Sequence, residues 1–242
     1  MAHDHTITID PIYNGPPDSA HGGVAAGRMA ELVDPLRARV RLHTPVPINA
    51  PMTSTEAENG AIEMTADGQR VAAVRALEAP LEVEHFPRLD PHVMTQAEAD
   101  FLDHWGGDHH PFPTCFGCGP GRHDGLGMEL RSGAAPGHDV HAASWEPALN
   151  GPVPDWLVWA ALDCPSGFPA FVGMAPDRAR VTGEFAVDIR QTVPGDGAYQ
   201  ILSHVTGHSG RKTTTAAAIV DEDGVNLAVA AAIWIEIPLA ST

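Results

Sequence analysis

The pattern of apolar positions predicts a buried helix over residues 154–164. Apolar side chains recur there at the i, i+3, i+4 spacing of a helix face that packs on a core. The stripe consists of Trp156, Trp159 and Ala160. Asp163 lies seven residues after Trp156 and therefore falls within the same apolar stripe.

A carboxylate on an apolar face must be paired, be kept partly protonated by desolvation, or face a cleft. Pro165 follows Asp163 closely, and a proline inside a helix breaks or kinks it. A carboxylate at such an interruption is well placed to meet a ligand, whereas the structural alternative is an acid that caps or bonds a neighbouring loop. We take Asp163 as the best catalytic candidate. Ser166, just beyond it, either positions a water or caps the kink.

A second amphipathic segment predicts a helix over residues 19–34. Ser19 or Asp18 can cap its start, and Pro35 closes it. Its apolar stripe consists of Ala25, Met29, Leu32 and Leu36.

Alternating apolar and polar residues predict strands around both helices. In the first half they are 6–13, 39–45, 52–57, 62–65 and 70–78. In the second half they are 128–130, 140–145, 180–191, 198–206, 211–220 and 225–236. One helix followed by a long antiparallel sheet, used twice, is an internal repeat. The pattern therefore predicts an α+β fold built from two packed units.

Residues 85–114 separate the two halves and read as a linker. They contain four prolines and a Gly-Gly pair and are weakly patterned. A capping box at 95–98 predicts one short helix that runs through Trp105. We divide the chain into an N-terminal unit over 1–84, this linker, and a C-terminal unit over 115–242.

Composition excludes some partners. The 242 residues carry a net charge of −17, and no cluster of Lys and Arg exceeds a pair, so nucleic acid and anionic membranes are not expected to bind. No apolar run has the length of a membrane span, and residues 1–10 lack the features of a signal peptide. These features predict a cytoplasmic protein.

The three cysteines suit a reducing compartment. His109 and His110 precede Cys115 and Cys118, which raises the question of zinc. A structural zinc site takes four ligands, commonly as two spaced pairs, and only one CxxC motif occurs here. We therefore predict no metal, and reduced cysteines in a glycine-rich turn that leads to the strand over 128–130.

Several short motifs resemble those of the hotdog-fold thioesterase superfamily. They are Cys115–Pro120 with Gly125–Gly127 before a strand, His21-Gly22-Gly23 at a helix start, Ala161–Asp163 followed by Gly167, and Gly210-Arg211-Lys212 ahead of a small-residue strand. Together they cover most of the chain. The resemblance implies a double hotdog, in which two antiparallel sheets each wrap a long helix.

The resemblance also implies a site shared by the two halves. Ala30 stands where the family's acid would follow His21, and the adjacent Glu31 lies off the apolar stripe. Pro154 stands where the family's histidine would precede Asp163. The first half thus keeps the HGG motif without the acid, and the second keeps the acid without the motif. The family builds each site across two units, so this chain is expected to form one complete site and one degenerate site; decay of both sites is the alternative.

The implied activity is that of an acyl-CoA thioesterase-like hydrolase. Thioester hydrolysis needs a base or nucleophile and donors aimed at the developing oxyanion. The predicted site consists of Asp163 as the acid, His21, Gly22 and Gly23 at the helix start, Ser166, Trp156 or Trp159 lining the pocket, and Arg211 and Lys212 on the coenzyme A phosphates. As an exposed pair after a turn, Arg211 and Lys212 are alternatively only solvated. No cofactor is expected beyond coenzyme A as part of the substrate.

Two alternatives remain open at this point. One is a hotdog hydratase or dehydratase, for which Asp18 with His21 is the only candidate pair. The other is a non-catalytic protein that binds an acyl-CoA or an aromatic ligand. In each case the expected partner is a thioester or related small molecule, and we expect a homo-oligomer.

Overall fold

The computed structural model describes residues 5–239, apart from the side chain of Asp108. The helices are α1 (Gly22–Ala30), α2 (Pro91–Trp105) and α3 (Asp155–Phe171). The first five strands are β1 (Thr6–Thr8), β2 (Arg37–Leu42), β3 (Pro51–Glu56), β4 (Ile62–Ala66) and β5 (Gln69–Ala76). The other six are β6 (Gly133–Ala134), β7 (His141–Trp145), β8 (Arg178–Ile189), β9 (Tyr199–Ser209), β10 (Lys212–Val220) and β11 (Asn226–Pro238).

The strands form a single antiparallel sheet of 11 strands in the order β1-β3-β4-β5-β2-β8-β11-β10-β9-β7-β6. Strands from the first half occupy one side, and strands from the second half occupy the other. The two sets meet where β2 pairs with β8, with Val40 opposite Phe185. Helix α1 packs on β2, β5 and β8, whereas α3 packs on β6 to β11. The predicted α+β class with antiparallel sheets is confirmed, and the division at residues 84 and 114 stays a prediction.

Helix α3 extends to Phe171 and does not end at 164 as the prolines had suggested. Pro165 and Pro169 both lie inside it, and every residue from Val158 to Phe171 is buried. Pro169 has no N–H to donate to the carbonyl of Pro165, but Ser203 Oγ on β9 donates to that carbonyl at 2.7 Å. Packing against the surrounding sheet and this replacement bond outweigh the helix-breaking tendency of proline.

Helix α1 has nine residues, so the prediction of a helix over 19–34 was wrong at both ends. The residues before it are held outside the helix, because Ala20 N donates to Val46 O at 2.9 Å. The cap is therefore His21, whose Nδ1 accepts from Val24 N, and neither Ser19 nor Asp18. Leu36, placed on the apolar stripe by the sequence, is exposed.

Two further predictions of local structure need correction. Helix α2 begins at Pro91 after an Asp90 cap, because the Asp90 carboxylate accepts from His92 N at 2.8 Å, so the capping box at 95–98 lies inside the helix. Residues 128–130 form no strand, because Glu129 adopts a left-handed backbone conformation with φ of 53°. Among residues 5–239, none of the helices combines the length and apolarity that crossing a membrane requires.

Candidate functional site

The site lies where α1 and α3 cross at unusually short range. A Cβ atom at Gly23 would lie 2.6 Å from both Asp163 Cβ and Trp159 O, and one at Gly27 would lie 2.8 Å from Trp156 Cα. Only a glycine surface on α1 permits this approach. The consequence is that Asp163, in the middle of α3, lies against the N-terminus of α1.

The Asp163 carboxylate is held by one group from each half of the chain. Its Oδ2 accepts from the Gly23 amide at 2.8 Å, and its Oδ1 accepts from Thr182 Oγ1 of β8 at 2.7 Å. The residue is only 2% exposed. Burial raises the pKa of Asp163 above its ordinary value, although the neighbouring His21 charge and these two hydrogen bonds oppose the rise. The predicted juxtaposition of Asp163 with Gly23 is present in the structure.

His21 connects this carboxylate to a cluster of thiols. Its Nδ1 lies 3.5 Å from Asp163 Oδ2 and accepts from Val24 N at 3.3 Å, while its Nε2 lies 3.1 Å from Cys164 Sγ. These bonds assign the proton of the neutral ring to Nε2. Burial lowers the pKa of His21, but the Asp163 charge and the Cys115 thiol more than offset it, so the pKa lies above its ordinary value.

The three cysteines are reduced and buried together. Cys115 Sγ lies 3.7 Å from Cys164 Sγ. Hydrogen bonds from Cys118 and then Cys164 lower the pKa of the Cys115 thiol well below its ordinary value, in spite of burial. The same bonds to Cys115 raise the pKa of Cys118 and of Cys164. One thiolate, at Cys115, is therefore favoured in this cluster.

Solved structures with this arrangement of elements are known. The tesB protein of Mycobacterium avium subspecies paratuberculosis is 12% identical with a TM-score of 0.61, and the match covers 97% of this chain and 93% of that one. A conserved protein with hot dog fold from Alicyclobacillus acidocaldarius is 14% identical with a TM-score of 0.58 over 100% and 95% of the two chains. This chain is a hotdog-fold protein. An acyl-CoA thioesterase II, TesB2, from Mycobacterium marinum is a further hotdog neighbour, at 12% identity and a TM-score of 0.57 over 93% and 92%.

These likenesses confirm the resemblance to hotdog proteins at the level of the fold. No protein-family model matches the sequence. A comparison with curated proteins likewise found no match. The continuous sheet and its helices are consistent with two hotdog units side by side.

Ser166, Trp159 and Trp156 were predicted to position a water or to line the pocket, and in the structure they make the following contacts. Ser166 is fully buried, and its Oγ donates to the backbone carbonyl of Asp163 at 2.7 Å. Trp159 is also fully buried, and its indole N–H donates to Pro35 O at 2.9 Å. Trp156 is partly buried and packs edge-on against Tyr13, with ring centroids 5.4 Å apart. Ser166 thus bonds the helix backbone, and Trp159 belongs to the contact between the two hotdog helices.

Arg211 lies in the turn between β9 and β10, Lys212 is the first residue of β10, and both are exposed. In the sheet, Lys212 pairs with Ile235, which pairs with Val181. Lys212 therefore lies in the cross-strand row next to the one that holds Thr182.

Two residues of the site were missed by the sequence analysis. Thr182 lies on a β-strand, and an alternating pattern does not distinguish a threonine that bonds a carboxylate from any other inward-facing threonine. Cys164 was counted among the three cysteines but was not placed in the site. The pair proposed for a hydratase does not form a buried site, because Asp18 is exposed whereas His21 is 1% exposed.

Two surface cavities lie away from Asp163. One, of about 210 Å³, is lined by residues that include Glu84, His138 and His204. The other, of about 440 Å³, lies between the loops at 149–152 and 192–196. Neither is lined by Trp156 or Trp159.

Proposed function

We propose that this chain is an acyl-CoA thioesterase-like hydrolase in which Asp163 is the catalytic carboxylate. The observation that carries the proposal is the hydrogen bond between Asp163 Oδ2 and the Gly23 amide, at a helix N-terminus of a hotdog fold. It places a desolvated carboxylate at a helix N-terminus, whose dipole favours the negative charge that develops in thioester hydrolysis. The names of the M. avium and M. marinum neighbours support the same class of reaction.

The chemistry of this carboxylate fits the role. Because burial raises the pKa of Asp163, its ionised form is a stronger base than an exposed aspartate. Thr182 fixes one carboxylate oxygen, and Gly23 fixes the other. In this position Asp163 activates a water or attacks the thioester carbonyl carbon directly, and both routes hydrolyse the acyl–sulfur bond to an acid and a free thiol.

Gly22 lets Thr182 and Asp163 approach the start of α1. It is partly exposed, and a Cβ atom there would lie 2.6 Å from Thr182 Oγ1 and 3.0 Å from Asp163 Oδ2. The Gly23 and Val24 amides already donate to Asp163 and to His21, so the proposal gives the substrate carbonyl the Gly22 amide, at a helix N-terminus where the dipole favours negative charge. His21 caps the same turn and holds its shape.

Arg211 and Lys212 are proposed to bind the phosphates of coenzyme A. They are a rare pair of adjacent cations in a chain of net charge −17, and both are exposed. Replacing both with alanine is expected to raise KM for acyl-CoA and to leave kcat nearly unchanged. A homo-oligomer is proposed as well, and sedimentation of the full chain tests it.

A non-catalytic acyl-CoA binding protein is the second candidate. It is favoured by the fact that both oxygens of Asp163 already have donors while the residue is 2% exposed. A panel of short, long and aromatic acyl-CoAs, with detection of free thiol, separates the two. Release of thiol in proportion to enzyme supports the hydrolase. Binding without release by calorimetry supports the second candidate and overturns the first.

A further inference from the structure

A cluster of three cysteines and one histidine lies beside the carboxylate and has no part in the proposed hydrolysis. Cys115 and Cys118 belong to the loop after α2, Cys164 lies on α3, and His21 caps α1. All four are buried. Cys115 Sγ, Cys164 Sγ and a ring nitrogen of His21 lie within 4.8 Å of one another.

The sulfur–sulfur distance is that between ligands of a tetrahedral metal, and the nitrogen–sulfur distance is about 0.4 Å shorter than such an edge. With metal–sulfur bonds of about 2.3 Å and metal–nitrogen bonds of about 2.0 Å, the edges of a tetrahedron are about 3.8 Å between sulfurs and about 3.5 Å between sulfur and nitrogen. The observed values are 3.7 Å for Cys115 Sγ to Cys164 Sγ and 3.1 Å for His21 Nε2 to Cys164 Sγ. A disulfide would instead require two sulfurs at about 2.05 Å.

We assign the fourth position to Cys118, which follows Cys115 by three residues and packs in the same buried cluster as Cys115 and Cys164. Its sulfur is not one of the three ligand atoms that lie within 4.8 Å of one another, so the Cys118 side chain has to turn toward them when a metal binds. The turn that brings the two loop cysteines together depends on Gly119, whose amide donates to Cys115 O at 2.9 Å. Gly117 also lacks a side chain where a Cβ atom would lie 2.5 Å from His21 Nε2 and 2.8 Å from Cys164 Sγ.

Asp163 supplies the outer partner that a metal-bound histidine usually has. Such a histidine donates its second ring N–H to a carboxylate or carbonyl. His21 Nδ1 lies 3.5 Å from Asp163 Oδ2. When Nε2 binds a metal, the ring proton moves to Nδ1 and faces this carboxylate, and the bond that Nδ1 accepts from Val24 N is given up.

We propose that His21 Nε2 and the sulfurs of Cys115, Cys118 and Cys164 bind one zinc-like divalent metal ion. Three thiolates and one imidazole are a soft ligand set that suits zinc. The metal ties the start of α1, the middle of α3 and the 115–118 loop to one another next to Asp163. Binding releases the thiol protons to solvent, so affinity falls at low pH. This proposal replaces the metal-free prediction from sequence. That prediction considered only the CxxC motif and its neighbours, because Cys164 and His21 are distant from the motif in the chain.

The first test uses the wild-type chain without an affinity tag. Elemental analysis after incubation with excess zinc and gel filtration is expected to give about one zinc ion per chain. Exchange for cobalt is expected to give the visible bands of tetrahedral Co²⁺ and a near-ultraviolet thiolate-to-cobalt band. The proposal is overturned if cobalt excess produces no thiolate band. A mass lower by two hydrogens in fresh protein, which marks a disulfide, would overturn it as well.

Variants then identify the ligands. Cys115→Ser and Cys164→Ser are expected to lose the stoichiometric metal, and Cys118→Ser to bind it at least about tenfold more weakly. The matched control is His109→Asn, which removes an exposed histidine near the same loop and is expected to retain the metal. Retention of full stoichiometry by Cys164→Ser contradicts the proposal. If the serine variants do not fold, the presence or absence of the thiolate-to-cobalt band in the wild type decides whether the cysteines bind a metal.

Discussion

Gly23 and Asp163 are 140 residues apart in sequence, and the amide of the first donates to the carboxylate of the second at 2.8 Å. The bond exists because Gly23 has no side chain where α1 crosses α3. A Cβ atom there would meet the Asp163 Cβ, Trp159 O and Ala160 Cα atoms at 2.6 to 2.8 Å. The contact that defines the site is therefore also one of the contacts that join the two halves, beside the pairing of β2 with β8.

Gly22→Ala tests whether the close approach of Thr182 and Asp163 to the start of α1 is needed for activity. The added methyl group would lie 2.6 Å from Thr182 Oγ1, so we expect it to displace that hydroxyl from Asp163. A displacement of about 1 Å at a reacting group costs up to about a hundredfold in rate. The same displacement disturbs a buried hydrogen bond, so the melting temperature is expected to fall as well, and activity is compared at a temperature where both variants are folded.

The control for this change is Gly207→Ala on β9. A Cβ atom at Gly207 would contact only Thr214 Oγ1, at 3.1 Å, and we expect thioesterase activity to stay within about twofold of the wild type. Equal activity of the two alanine variants would show that the close approach of Thr182 and Asp163 to Gly22 has no role in the reaction.

The sequence predicted the central contact but not its surroundings. The apolar stripe of α3 and the HGG motif placed Asp163 against α1, because both signals lie in short local segments whose order and spacing fit together. The continuation of α3 through Pro165 was not predictable, because it depends on Ser203 of β9, which replaces a missing backbone donor. The roles of Thr182 and of the cysteine cluster were not predictable for the same reason, since each of these residues contacts a residue from a distant segment of the chain.

Ser203→Ala tests the support of α3 at its prolines. The change leaves the buried carbonyl of Pro165 without its donor, which is expected to lower the free energy of unfolding by about 1–3 kcal/mol. Chemical denaturation measures the loss. The control is Ser144→Ala on β7, an exposed serine for which we expect a change within about 0.5 kcal/mol. Equal stability of both variants and the wild type would contradict this account of α3.

His141 is expected to make stability fall in mild acid. Burial lowers the pKa of His141, and His104 adds to this effect, while Asp100 opposes it. The unfolded state therefore takes up a proton more readily than the folded state, and stability is complete above the unfolded pKa of about 6.5. It is lost as the pH falls from there towards the lower folded pKa.

His141→Gln removes this titration. We expect the free energy of unfolding of the variant to depend less on pH between about 7 and 5 than that of the wild type. His123→Gln, at an exposed position, serves as the control and should keep the wild-type slope. A slope unchanged by His141→Gln would show that His141 does not couple folding to protonation.

The most direct test of the central claim is the thioesterase activity of Asp163→Asn beside that of Glu31→Gln. The first change keeps the shape of the buried side chain and removes its charge. The second neutralises an acid at the end of α1 that pairs with Arg28 and does not touch Asp163. We expect Asp163→Asn to lower kcat about a hundredfold or more with little change in substrate affinity, and Glu31→Gln to be nearly silent. Full activity in Asp163→Asn, or loss of activity in Glu31→Gln, would contradict the account.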